Sequence, residues 1–147
     1  MAHVHHSAIA TRDVDAGIRF YRDGLGLQVL MDHEFDGDWS TLFDAPSDRL
    51  RSVFLGDPDS PDAGIVELVT FGAGGGSEDA RAATPPRPGF FLLSFFVDVE
   101  ATLARLAALG LDTPARRIKI PAPGGDVEMA TVRDPDGVLV ELIGIGS

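Results

Sequence analysis

Asp98-Val99-Glu100-Ala101, running on to Leu109-Gly110-Leu111, repeats Asp13-Val14-Asp15-Ala16, running on to Leu25-Gly26-Leu27. In both copies an aspartate precedes a stretch with apolar residues at helical spacing, and its carboxylate is placed to accept from free backbone N–H groups. In both copies a glycine follows, a residue that stops a helix at low cost in the left-handed region. Aspartate and glycine lie 13 residues apart in the first copy and 12 in the second.

The similarity extends outward from the helices. An apolar strand precedes each one, over residues 4–11 and 90–97. Strand patterns follow over 27–33, 50–56 and 65–71 in the first half, and over 118–120, 127–132 and 138–143 in the second. Residues 39–43 read as a short strand or loop. Gly64-Ile65-Val66-Glu67-Leu68 is answered by Val138-Leu139-Val140-Glu141-Leu142. Each half therefore reads strand, helix, then about three strands, and neither buries its sheet alone. The expected fold is α+β: paired βαβββ modules forming a curved mixed sheet around a cleft, with helices outside. Module 1 spans about 3–71 and module 2 about 89–146 of a single domain, 1–147. Between them, 72–88 holds Gly74-Gly75-Gly76 and Pro85-Pro86 without hydrophobic periodicity and reads as a linker. The glycine triplet lacks the Lys-Ser/Thr pair and helix onset of a phosphate loop.

Composition narrows the chemistry. The chain has 147 residues, 44% hydrophobic and 24% charged, with a net charge of -11 and no cysteine. Disulfides, thiolate metal sites and cysteine nucleophiles are excluded. The acidic field repels phosphate backbones, so nucleic acid is not an expected partner. No run of 18 apolar residues is present, and the N-terminus lacks the pattern of a secretory signal, so no membrane partner and a cytoplasmic location are expected.

Glu67 and Glu141 each sit inside an apolar strand. A carboxylate buried there costs several kcal/mol unless it is paired, metal-bound or protonated. Two at matching places point to one shared cleft. His6 shares a strand face with Ala8 and Ala10, whose small side chains leave room beside its ring. His5 is expected to point away from His6, because strand side chains alternate. His3 and His33 read as surface or structural residues. One imidazole with two carboxylates suits a divalent metal ion such as Fe, Mn, Ni, Co or Zn.

These residues resemble the vicinal oxygen chelate superfamily, which includes glyoxalase I, epimerases, extradiol dioxygenases and bleomycin-resistance proteins. The opening His6-Ser7-Ala8-Ile9, Asp13-Val14 and Phe20-Tyr21-Arg22-Asp23-Gly24-Leu25-Gly26-Leu27 is similar to the family's H-x-A-I, D-L and F-Y-x-x-x-L-G-F. The closing Asp134-Pro135-Asp136-Gly137-Val138-Leu139-Val140-Glu141-Leu142 is similar to its D-P-D-G-x-x-x-E-L. The resemblance implies up to four metal-ligand positions. His6 matches the first, Glu67 the second and Glu141 the fourth. At the third the family has a histidine, and here Leu92 stands, which cannot bind a metal. The set His6, Glu67 and Glu141 remains, for a weaker metal site or for acid–base work without metal.

Two readings stay open. One is a glyoxalase-like or epimerase-like enzyme of the lyase/isomerase type, moving a proton next to a carbonyl of a small, partly apolar substrate, with Glu141 as the base. The other is a metal-free binding protein of the drug-sequestering type. A ring-cleaving dioxygenase is disfavoured by Leu92. Phe90, Leu92, Phe96 and Leu139 share the inner face by alternation and are the expected substrate-binding residues. A homodimer is expected, as related folds often dimerise.

Overall fold

A computed structural model describes residues 2–72, 88–111 and 114–145. Apart from its ends, the expected linker 72–88 lies outside the described residues. The chain forms two compact units, one from the first half of the chain and the other chiefly from the second, each with a four-stranded sheet. In the first, the order is β1 (His6–Ala10), α1 (Val14–Ile18), β2 (Gln28–Asp36), α2 (Trp39–Phe43), β3 (Arg49–Gly56) and β4 (Ile65–Thr70). In the second it is β5 (Leu93–Val97), α3 (Val99–Ala108), β6 (Arg116–Ile120), β7 (Val127–Arg133) and β8 (Leu139–Gly144). The sheet orders are β1-β4-β3-β2 and β5-β8-β7-β6. Each sheet is mixed: the first strand pairs parallel with the last, and the other pairs are antiparallel. The α+β reading as paired βαβββ modules holds.

The repeated sequence signals act as expected. Asp13 accepts from the Ala16 N–H at 3.0 Å and Asp98 from the Ala101 N–H at 2.9 Å. Gly26 and Gly110 take φ of 89° and 68°, left-handed values that cost other residues more. The first helix departs from a regular α-helix over 15–25, because after Ile18 it widens into π-helical turns at Arg19–Gly24. Phe20 and Tyr21 follow one another there and are both fully buried, their rings edge to face at 4.9 Å.

In each module one sheet face is core. Ile9, Val53, Leu55, Val66 and Leu68 are buried in the first, and Ala130, Val132, Val140 and Leu142 in the second. On the helix side of the second sheet, Arg117 joins Glu128 of β7 to Glu100 of α3. The closing motif is a turn: buried Asp134 accepts from the Asp136 and Val138 N–H groups at 2.9 and 2.8 Å. It thereby fixes the entry of β8 and the register of Glu141.

Three local expectations are corrected. Residues 39–43 are helical, because Asp38 accepts from the Thr41 N–H at 3.1 Å and hydroxyl at 2.6 Å, while Trp39 stacks on Phe43 at 5.8 Å. β2 runs on to Asp36, carried by ion pairs to β3. β5 begins at Leu93, so Phe90 and Leu92 precede it and strand alternation does not govern them.

The β2–β3 ion pairs make a pH prediction. Arg51 donates to both oxygens of Asp32 at 2.9 and 2.8 Å. These bonds hold the Asp32 carboxyl below its usual range. Its stabilisation is complete above the unfolded-state value of about 3.9 and is lost as pH falls through the lowered folded value. Asp32→Asn is therefore expected to cost at most about 1 kcal/mol at pH 7, since the pair is part-exposed. Denaturation curves of the two proteins should converge as pH falls below that range.

Candidate functional site

On the open face of the first sheet, β1 and β4 run parallel with Ala8 opposite Glu67. His6, two residues earlier on the same face, lies beside that carboxylate. His6 Nε2 and Glu67 Oε1 are 3.5 Å apart, without the geometry of a hydrogen bond. The other oxygen, Oε2, accepts from the Ser52 hydroxyl of β3 at 2.5 Å. Ser52 is buried, so an unmade bond there would cost about 1–3 kcal/mol. The Glu67 side chain is only 15% exposed, and these two neighbours offset the cost of burying its charge.

His5 departs from expectation. It lies just outside β1, where alternation does not apply, and its Nδ1 is 2.8 Å from His6 Nδ1. One of the two nitrogens therefore donates to the other. Both rings lie against Phe54 of β3, with centroids 5.8 and 5.4 Å away. The array Ser52–Glu67–His6–His5 thus crosses the face as one polar chain against an aromatic wall. His33 packs on Phe35 at 4.6 Å, and His3 Nε2 lies 3.1 Å from the Asp62 carbonyl, neither of them with the carboxylates.

In the second module the equivalent carboxylate is Glu141, opposite Ser94. The Ser94 hydroxyl donates to Oε1 at 2.8 Å. Oε2 has no hydrogen-bond partner among the described residues. The two carboxylates are therefore held differently. By register Met129 stands where Ser52 does in the first module, and Leu92, just ahead of β5, stands two residues before Ser94 as His6 stands two before Ala8. Register puts Phe96 and Leu139 on the face of Glu141, with Phe96 78% exposed. Phe90 is also exposed, ahead of the strand.

Of the expected metal set, His6 and Glu67 come together. Two ligands at about 2.1 Å from one tetrahedral ion stand about 3.4 Å apart, close to the separation seen. The pair therefore fits two ligand positions. Among the described residues no group of three His, Cys, Asp or Glu side chains is arranged to hold an ion. Ser52 and Ser94 are participants that the sequence did not single out, and His5 joins them against the expectation that it points away. A serine sharing a strand face with Leu50 and Phe54 was the available signal for Ser52.

The family model described as Glyoxalase/Bleomycin resistance protein/Dioxygenase superfamily matches residues 3–142. The chain is 36% identical over 152 residues to the lactoylglutathione lyase-like protein terB of Aspergillus terreus, covering 95% of this chain and 74% of that one. It is 30% identical over 139 residues to a probable lactoylglutathione lyase of Vibrio parahaemolyticus, covering 94% and 87%. Among solved structures, a glyoxalase family protein from Bacillus cereus matches with a TM-score of 0.75 at 19% identity, covering 98% and 94%, a likeness of fold. The trypanothione-dependent glyoxalase I of Leishmania major matches with a TM-score of 0.62 at 25% identity, covering 98% and 87%.

Proposed function

The chain belongs to the Glyoxalase/Bleomycin resistance protein/Dioxygenase superfamily, and from that premise we propose that it is a glyoxalase-like lyase/isomerase. Its substrate is a small, partly apolar molecule with a C–H next to a carbonyl. The observation that carries this reading is the half-tethered state of Glu141. Ser94 orients one carboxylate oxygen, and the other stands on the open sheet face without a partner among the described residues. That is what a general base needs: a fixed direction and a basic oxygen left free.

In the proposed reaction Glu141 takes the proton from the carbon beside the carbonyl. The electron pair left behind is shared with the carbonyl oxygen. Glu141 then returns the proton to the former carbonyl carbon, while the carbon that lost it, which bears a hydroxyl, becomes the new carbonyl and its hydroxyl proton passes to the former carbonyl oxygen, so electrons and protons balance without an oxidant. Glu67, held by Ser52 and faced by His6, is not free for this work. His6 and Glu67 are instead the residues that would hold a divalent ion, whose chemistry when bound is that of a Lewis acid toward oxygen. His5 and Ser52 keep the two donors in place.

The assay is conversion of hemithioacetals of small ketoaldehydes to thioesters, followed together with metal content. Stoichiometric binding of Ni, Zn, Mn, Fe or Co is expected. Glu67→Ala should weaken it by at least about 100-fold, beyond the effect of losing an outer partner. Unchanged metal binding in that variant removes His6 and Glu67 as ligands. Leu92 and the absence of a three-donor cluster among the described residues favour a second reading, a metal-free binding protein. Tight small-molecule binding with neither metal nor turnover would establish it.

A further inference from the structure

Two rows of side chains cross the open face of the second sheet. Ser94, Glu141, Thr131 and Arg116 are register partners on four neighbouring strands. The next row, Phe96, Ile143, Met129 and Ile118, is apolar throughout. Phe96 and Ile118 at its ends are 78% and 59% exposed. Covering such side chains is favourable, and that gain is available to an apolar occupant.

The polar row ends in a cation. Arg49, Arg51 and Arg117 are each paired with carboxylates, and Arg133 donates to the Gly137 carbonyl at 3.0 Å. Arg116 has no such partner among the described residues. In a chain of net charge -11, a guanidinium left free at the end of an open row is placed for an anion from outside. Its planar fork matches a carboxylate, and Thr131 beside it adds a hydroxyl. Arg116 and Glu141 are two strands apart, roughly 10 Å at the usual strand spacing.

We propose that this face binds a small organic carboxylate with a flat apolar body. The body lies along Phe96, Ile143, Met129 and Ile118, and the carboxylate pairs with Arg116. Its role as the substrate's anchoring end rests on the reading of Glu141 as the base, whereas the binding itself does not. The ligand class follows: an arylcarboxylate whose reacting carbon lies roughly 10 Å from its charge.

Biphenyl-4-carboxylate and its uncharged methyl ester are the probes, titrated by NMR against wild type, Arg116→Gln and Arg116→Lys. The acid should bind wild type about 10-fold tighter than the ester, the worth of one charge-assisted pair. Arg116→Gln should erase that difference, Arg116→Lys should restore part of it, and shifts should centre on Phe96, Met129 and Ile118. Equal affinity for acid and ester, an unchanged Arg116→Gln, or a dimer that shields the face and excludes the probe would overturn the proposal. Probe binding without turnover would leave this site standing and sink the assigned reaction. Turnover without probe binding would sink this site alone.

Discussion

Glu141→Gln is expected to lower kcat by about 10²–10⁴-fold, the usual worth of a positioned general base. The substitution is nearly isosteric. Its amide oxygen can still accept from the Ser94 hydroxyl, now at 2.8 Å from Oε1, so the strand and its register should persist. What disappears is the basic oxygen, which has no other task among the described residues. Substrate binding should change little, so the loss should appear in kcat rather than KM. Ser94→Ala gives the contrast. It keeps the base but frees its direction, and a milder loss is expected. Steady-state kinetics on both variants, with metal content matched, decide the matter. A Glu141→Gln enzyme within about threefold of wild type, far inside that expected range, would remove Glu141 from the role.

Much of this arrangement is legible in the chain itself because it depends on local chemistry. An aspartate cap and a glycine stop are short-range signals, and both pairs, Asp13 with Gly26 and Asp98 with Gly110, behave as their types dictate. His6 and Glu67 were also readable, since an ionisable residue inside an apolar strand calls for a partner. The remainder depends on information outside any short window. His5 joins His6 only because β1 starts at residue 6, two residues later than the pattern over 4–11 implies. Ser52 reaches Glu67 through cross-strand register, which a sequence does not display. The row from Ser94 to Arg116 is spread over four strands and becomes a row only when they pair. The short helix Trp39–Phe43 was hidden for a different reason: Asp36-Gly37-Asp38 reads as a turn, and Asp38 serves as the turn's end and the helix's cap together.

Leu68→Ala is expected to destabilise the protein by about 2–5 kcal/mol, the range for a truncated buried leucine. Leu68 is fully buried in β4, opposite Ile9 of β1 and Val53 of β3. Above it passes α1, where a Cβ added at Gly17 would lie 2.7 Å from Leu68 Cδ1. The glycine is thus the partner of the leucine, and the two sites should couple. Gly17→Ala alone gains up to about 1 kcal/mol of helix propensity. It is expected to lose more, about 1–3 kcal/mol, because fully buried Leu68 must shift within the core to admit the methyl. With Leu68→Ala in place the obstacle is gone. The methyl introduced by Gly17→Ala then fills part of the cavity and the helix gain remains, so the same substitution should stabilise by about 1 kcal/mol. Urea denaturation of the four proteins measures this cycle. A reversal of sign at position 17 is the expected result. Simple additivity would show that helix and strand are not in contact here, and the packing that carries β4, and Glu67 with it, would have to be redrawn.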